Sequence, residues 1–99
     1  MMEEFYFNAY ETELIGGEIG RAHHFLSKSV KGKGFYAEVS KVLLSAIEKR
    51  IEPEEIEDEI LRIPGEELEK RAIYFRFLYS YNRYDVAFPA YDTKRCNDL

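Results

Sequence analysis

Two adjacent histidines, His23 and His24, are by residue type the most obvious metal-binding candidates in this sequence of 99 residues. They fall in a stretch with the apolar spacing of a helix, where neighbouring side chains point about 100° apart. Two rings directed so differently do not share one metal ion while the helix is intact. The sequence therefore predicts a packing histidine, His23, beside a surface histidine, His24, with no metal and no other cofactor.

Nucleophilic catalysis has little support in this sequence. The one cysteine, Cys96, lies near the end of the chain, and no Gly-x-Ser-x-Gly segment is present. A single cysteine also excludes an intramolecular disulfide and a cysteine-based zinc site. The sequence predicts a protein that is not an enzyme.

A short basic loop, Lys31-Gly32-Lys33-Gly34, precedes a predicted helix and offers backbone amides and two ammonium groups to an anion. The glycine-rich signatures of phosphate-binding loops are absent. Two interpretations stand. Either Lys31 and Lys33 bind an anion, such as a nucleic-acid phosphate, or the loop is a flexible connection between helices whose lysines face solvent.

The strongest charge feature is an acidic segment from Glu52 to Glu69, with nine acidic residues against one basic residue, Arg62. Its net charge of −8 leaves +3 for the rest of a chain whose total is −5. One interpretation is a solvated helix face, with carboxylates at the positive end of the helix dipole. The other is a surface that docks on a basic protein. The residues predicted to bind such a partner are Glu54, Glu55, Asp58 and Glu59.

The spacing of apolar residues predicts the elements that position these side chains. Three helices are predicted, from a start between 13 and 17 to Val30, from Phe35 to Ile51, and from Pro53 to Ile63. Aromatic residues that alternate with period two predict three strands, Phe5 to Tyr10, Ala72 to Tyr81 and Tyr84 to Phe88. The order β-α-α-α-β-β indicates an α+β fold, a small antiparallel sheet of about three strands with helices on one face.

Length and composition are typical of one domain with one core, since 45% of the residues are apolar. We expect this domain to cover residues 1–99, with 92–99 as a loose C-terminal tail. The beginning, Met1-Met2-Glu3-Glu4, lacks the pattern of a signal peptide. The apolar runs are far shorter than the roughly 20 residues that span a bilayer. The sequence therefore predicts an intracellular protein without a membrane partner.

Residues 4 to 51 resemble the ribbon-helix-helix DNA-binding proteins in their order of short strand, helix, glycine-containing turn and second helix. The second helix, Ala37 to Ile47, has a similar spacing of apolar residues. In that family, paired strands from a dimer enter the major groove, so the resemblance implies a DNA-binding regulator. The predicted ribbon, Phe5 to Tyr10, departs from the family because it has no Lys or Arg and lies among glutamates that would repel phosphates.

The overall composition points to a thermophile, with one-third charged residues, three asparagines and no glutamine. In size, composition and its tyrosine-rich end from Ile73 to Tyr91, the chain resembles small orphan proteins of filamentous and rod-shaped viruses that infect hyperthermophilic archaea. That resemblance implies a host-modulating factor or regulator and assigns no functional residue. We therefore expect a thermostable, non-enzymatic interaction protein that binds another protein and can form a homodimer, with the DNA-binding regulator as the alternative.

Overall fold

In the computed structural model, which describes residues 2–49 and 52–83, all regular structure is helical. The five helices are α1 Met2–Ile15, α2 Ile19–Ser29, α3 Phe35–Lys49, α4 Pro53–Leu61 and α5 Glu67–Arg83. The chain forms two compact units, the first ending at Leu44 and the second beginning at Ser45, so the boundary lies within α3. The predicted α+β class with an antiparallel sheet is wrong, since the described residues contain no strand. A single domain of residues 1–99 stays a prediction.

The first predicted strand, Phe5 to Tyr10, lies in the middle of α1. Phe7, Tyr10 and Leu14 are buried, which is the i, i+3, i+7 spacing of one helical face. Phe5, which period two would place beside Phe7, is 60% exposed. These residues therefore form no ribbon, and the DNA-binding alternative loses the strand that would enter the major groove.

A glycine turn separates α1 from α2, where the sequence predicted the start of one helix. Gly17 has a φ of 84°, a conformation that a Cβ makes costly. The N–H of Gly17 donates to the carbonyl of Leu14 at 3.1 Å, and that of Glu18 donates to the carbonyl of Glu13 at 2.9 Å. This pair of bonds is a Schellman motif, which satisfies the last carbonyls of α1. The predicted helix is present only from Ile19 onward.

A buried pair of hydroxyl groups links α1, α2 and α3 within the first unit. The Ser29 hydroxyl donates to the carbonyl oxygen of Glu3 at 2.9 Å. Ser40 Oγ lies 2.8 Å from Ser29 Oγ and 2.7 Å from the carbonyl oxygen of Tyr36, and its one proton serves one of them at a time. Because both serines are fully buried, these bonds offset the cost of removing them from water.

The helices α3 and α4 form where the sequence predicted them. Val39, Leu43 and Ala46, from the predicted apolar stripe of α3, are fully buried. Pro53 occupies the first turn of α4, where its missing N–H costs no helical hydrogen bond. The buried residues of α4 are Pro53, Ile56 and Ile60. Each helix buries one face, as its sequence pattern indicated.

The second predicted strand, Ala72 to Tyr81, is the interior of α5. Its buried side chains have helical spacing, and they are Ile73, Tyr74, Phe77, Ser80 and Tyr81. The strand prediction placed Phe75 and Phe77 on one face, whereas Phe75 is 59% and Phe77 is 2% exposed. The remaining predicted strand, Tyr84 to Phe88, and the predicted tail, 92–99, lie outside the described residues.

Candidate functional site

The acidic residues predicted to bind a partner all lie on the side of α4 that faces solvent. Pro53, Ile56 and Ile60 define the buried face of this helix. The four predicted residues, Glu54, Glu55, Asp58 and Glu59, are all exposed. Glu59 contacts a neighbour on the same surface, since its Oε1 accepts a hydrogen bond from Arg62 Nη1 at 2.9 Å. We call these four residues the acidic face of α4; their role in binding stays a prediction.

Side chains of α5 donate hydrogen bonds to backbone carbonyl groups at both ends of α4. At the start of α4, the Tyr74 hydroxyl donates to the carbonyl oxygen of Pro53 at 3.0 Å. At its end, the Lys70 ammonium donates to the carbonyl oxygens of Leu61 at 3.0 Å and Ile63 at 2.8 Å. Lys70 is only 7% exposed, and its positive charge lies where the helix dipole of α4 is negative. The acidic face therefore has a fixed position relative to α5.

A row of apolar side chains runs along the outer face of α5. Leu68, Ala72, Phe75 and Tyr79 follow the i, i+4, i+7, i+11 spacing of one helical face. Leu68, Phe75 and Tyr79 are 77%, 59% and 64% exposed. At about 1.5 Å of rise per residue the row is roughly 16 Å long. We call these four residues the α5 stripe.

Arg71 lies between the α5 stripe and α4. Its Nη1 is 3.2 Å from Glu57 Oε2 on α4, and its Nε is 2.9 Å from Glu67 Oε2 on α5. Because Arg71 directly precedes Ala72, it flanks the stripe, and its bond to Glu57 places α4 along that flank. The α5 stripe thus has acidic residues on its α4 side.

Sequence reasoning missed the α5 stripe, although its helical spacing was present. The same residues also alternate with the buried ones, and this alternation was interpreted as a strand. The missed signal was Leu68, which continues the row one helical turn before Ala72 and lies outside the predicted strand.

A glutamate of α1 occupies the place where the basic loop was predicted to bind an anion. A Cβ on Gly32 would lie 2.5 Å from Glu3 Oε1, and one on Gly34 would lie 2.5 Å from Glu3 Oε2. Both glycines therefore lie in close contact with the Glu3 carboxylate. Lys31 and Lys33 are exposed beside it. Anion binding by these lysines stays a prediction, and an external anion would have to compete with Glu3.

The two histidines point to different environments. His23 is half-buried, and burial lowers the pKa of its imidazole because the charged form is disfavoured away from water. His24 is exposed, with its ring 5.9 Å from that of Phe25. Within residues 2–49 and 52–83, no group of three or more His, Cys, Asp or Glu side chains is arranged to hold a metal ion. The absence of a metal in the working protein stays a prediction.

A surface groove of about 400 Å³ lies between α1 and α2, and no pattern in the sequence indicated it. Its lining residues are Phe5, Asn8, Ala9, Thr12, Glu13, Arg21 and Phe25. Arg21 Nε lies 2.6 Å from Glu13 Oε2 as an ion pair, without the angles of a hydrogen bond. The groove is therefore apolar at its Phe5 end and charged at its Glu13 end.

In the described part of the chain, no helix has both the length and the apolar character needed to cross a membrane. No protein-family model matches this chain, and no curated protein or solved structure is significantly similar to it. Its function must therefore be inferred from its own surfaces.

Proposed function

We propose that this chain is a non-enzymatic interaction protein whose second unit binds a basic amphipathic helix of another protein. The observation that carries this proposal is the α5 stripe. The inner face of α5 is already buried, yet the outer face exposes a second row of large apolar side chains. An isolated exposed apolar residue is ordinary, whereas a continuous row on one helix is typical of an interaction surface.

The spacing of the α5 stripe suits a partner helix. Helices that dock on one another contact through residues at i, i+3 or i+4 and i+7, which is how Leu68, Ala72, Phe75 and Tyr79 are spaced. Complete burial of one large apolar side chain contributes about 1.5–3 kcal/mol. Burial of three such side chains is enough to offset part of the entropy cost of association.

The surrounding charges favour a basic partner. Glu55 and Asp58 are exposed on α4, and α4 lies along the Arg71 side of the stripe. Arg71 itself contacts both Glu57 and Glu67, so its charge is already matched. Lysines or arginines along one edge of the partner helix would face this acidic surface. Such complementarity raises the association rate and disfavours acidic competitors.

The proposal includes an intracellular setting, supported by the single cysteine Cys96, which cannot form an intramolecular disulfide. The composition, rich in charged residues and poor in amides, supports a thermophilic source. A viral factor that binds a host protein fits this combination.

A designed amphipathic peptide, standing in for the partner helix, tests the proposal directly. The probe is a labelled peptide of about 18 residues, five helical turns, with leucines on one face and lysines on the other. One control peptide carries glutamates in place of the lysines, and another has the same composition with the leucines scattered. We expect the lysine peptide to bind about tenfold more tightly than either control, with an affinity that falls as salt increases.

Variants of the protein locate the bound peptide. Phe75→Ser and Tyr79→Ser should abolish binding because they remove apolar contacts while leaving the inner face of α5 intact. Glu55→Lys with Asp58→Lys should weaken binding and reduce its salt dependence. If the Phe75→Ser protein binds the lysine peptide as wild type does, the α5 stripe is not the binding surface and the proposal is wrong.

A further inference from the structure

The helix α1 also carries apolar residues on two faces. Phe7, Tyr10 and Leu14 are buried, whereas Phe5, Ala9 and Thr12 line the groove beside α2. Met2, one turn before Phe5, is 61% exposed and continues the same face. On α1 the groove is therefore apolar at Phe5 and Ala9 and polar at Asn8, Thr12 and Glu13, and Phe25 of α2 forms its wall.

The helices α1 and α2 run antiparallel along this groove. Near the start of α1, the Tyr6 ring stacks 6.3 Å from the Phe25 ring, and Lys28 Nζ lies 5.6 Å from the Tyr6 ring centre. Near the end of α1, Glu13 pairs with Arg21. Lys28 is thus level with the first turns of α1, and Arg21 is level with its last turns.

Near the start of α1, charges of opposite sign lie on the two sides of the groove. Arg21 and Lys28 are seven residues apart and form one line along α2, next to Phe25. Glu4 and Glu11, also seven apart, form a line on the flank of α1 that points away from α2. Glu4 is at the height of Lys28, whereas Arg21, near the height of Glu11, is already paired with Glu13 and Glu18.

We infer that the occupant of this groove is a second copy of the chain, related by a two-fold axis parallel to α1. Such an axis keeps every residue at its height and exchanges the two flanks. It places Glu4 of the second copy beside Lys28, while the two Phe5 side chains meet at the groove. An antiparallel arrangement would bring the two acidic lines together, so the charges select the parallel one. This inference is independent of the proposed binding at the α5 stripe.

The first test measures the mass of the full chain by sedimentation equilibrium from micromolar to millimolar concentration. We expect a monomer–dimer equilibrium in the wild-type protein. Phe5→Asp should weaken dimerisation about a hundredfold because it places two carboxylates together at the two-fold axis. The helix content should be unchanged, because Phe5 is 60% exposed in the folded chain.

A matched control separates this inference from the proposed function. Phe75→Asp makes the same chemical change on the α5 stripe, where the exposure of the ring is similar at 59%. It should leave dimerisation unchanged and abolish peptide binding, whereas Phe5→Asp should do the reverse. A wild-type chain that stays monomeric throughout the concentration range overturns the inference, and so does a Phe5→Asp protein that dimerises as wild type does.

Charge exchange tests the parallel arrangement. Glu4→Lys and Lys28→Glu should each weaken the homodimer about tenfold, since each variant places like charges together at both symmetry-related contacts. An equal mixture of the two variants should form a heterodimer with restored affinity. At one of its contacts the introduced lysine of one chain faces the introduced glutamate of the other, and at the second contact the native pair is present. Failure of the mixture to regain affinity would show that these residues do not meet across a two-fold axis.

Discussion

The two principal helices of the second unit, α4 and α5, differ in how their side chains are used. α4 has one apolar face, which is buried, and one acidic face, which is exposed. α5 is apolar on two opposite faces, one buried with Phe77 and one exposed with Phe75. The sequence predicted α4 correctly and α5 wrongly. An additional apolar face, the feature that suggests a binding role, also gives the sequence of a helix the alternating pattern of a strand.

The strand-like alternation in the sequence of α5 has a geometric cause. Residues two apart on a helix point about 200° apart, close to the 180° that separates neighbours in a strand. A helix with two opposite apolar faces therefore places an apolar residue at every second position, as in the row Ile73, Phe75, Phe77, Tyr79 and Tyr81. In a strand this row would share one face. In α5 it alternates between buried and exposed.

The largest expected effect on stability comes from two alanine substitutions that compare the buried and the exposed face of α5. Phe77→Ala should lower the free energy of unfolding by about 3–5 kcal/mol because it leaves a cavity under a buried ring. Phe75→Ala should change it by less than about 0.5 kcal/mol because the ring is exposed. Urea-induced unfolding followed by circular dichroism measures both. Similar large losses at both positions would indicate that the two rings share a buried face, as the strand prediction required.

The first unit shows the same limit of sequence reasoning. α3 was predicted because Val39, Leu43 and Ala46 repeat only at helical spacing. α1 was predicted as a strand because Phe5, Phe7 and Ala9 alternate, although the buried set, Phe7 with Tyr10 and Leu14, was also present in the sequence. One-faced patterns specify an element, whereas two-faced patterns need tertiary contacts to decide between a helix and a strand.

The candidate sites also divide into those that the sequence alone indicates and those that depend on tertiary contacts. The four carboxylates of α4 were found from the sequence because charge needs no partner to be recognised. The position of Glu3 against the glycines of the basic loop was not foreseen, because it depends on a contact between α1 and the start of α3. The groove beside α1 and the α5 stripe could be recognised only from the structure, which shows which apolar face of each helix is buried and which is exposed.

A smaller effect on stability is expected at Lys70, whose hydrogen bonds join α5 to the end of α4. Lys70→Met keeps the length and the apolar stem of the side chain but removes its ammonium group. The carbonyl oxygens of Leu61 and Ile63 then lose their hydrogen bonds from this residue. We expect the free energy of unfolding to fall by about 1–3 kcal/mol. Lys41→Met, at an exposed residue of α3, is the control and should have little effect, since its ion pair with Glu38 is at the surface.

If Lys70→Met leaves the free energy of unfolding unchanged, packing alone holds α4 against α5. Hydrogen exchange at the end of α4 adds a second measurement. Amide protection there should fall in Lys70→Met more than protection near the start of α4, where the bond from Tyr74 to Pro53 is retained.

The smallest effect on stability is expected from substitutions on the acidic face of α4, in contrast to those on the buried face of α5. Glu55→Lys with Asp58→Lys reverses two exposed charges. The change at Glu55 costs some stability because this residue lies in the first turn, at the positive end of the helix dipole. The change at Asp58 offsets part of that cost because a cation is favoured toward the other end. We expect a net change in unfolding free energy below about 1 kcal/mol, and a melting temperature within a few degrees of wild type. A loss above about 2 kcal/mol in a reversible thermal melt would show that these carboxylates stabilise the fold, and the weakened peptide binding expected of the same variant would then no longer indicate a docking surface.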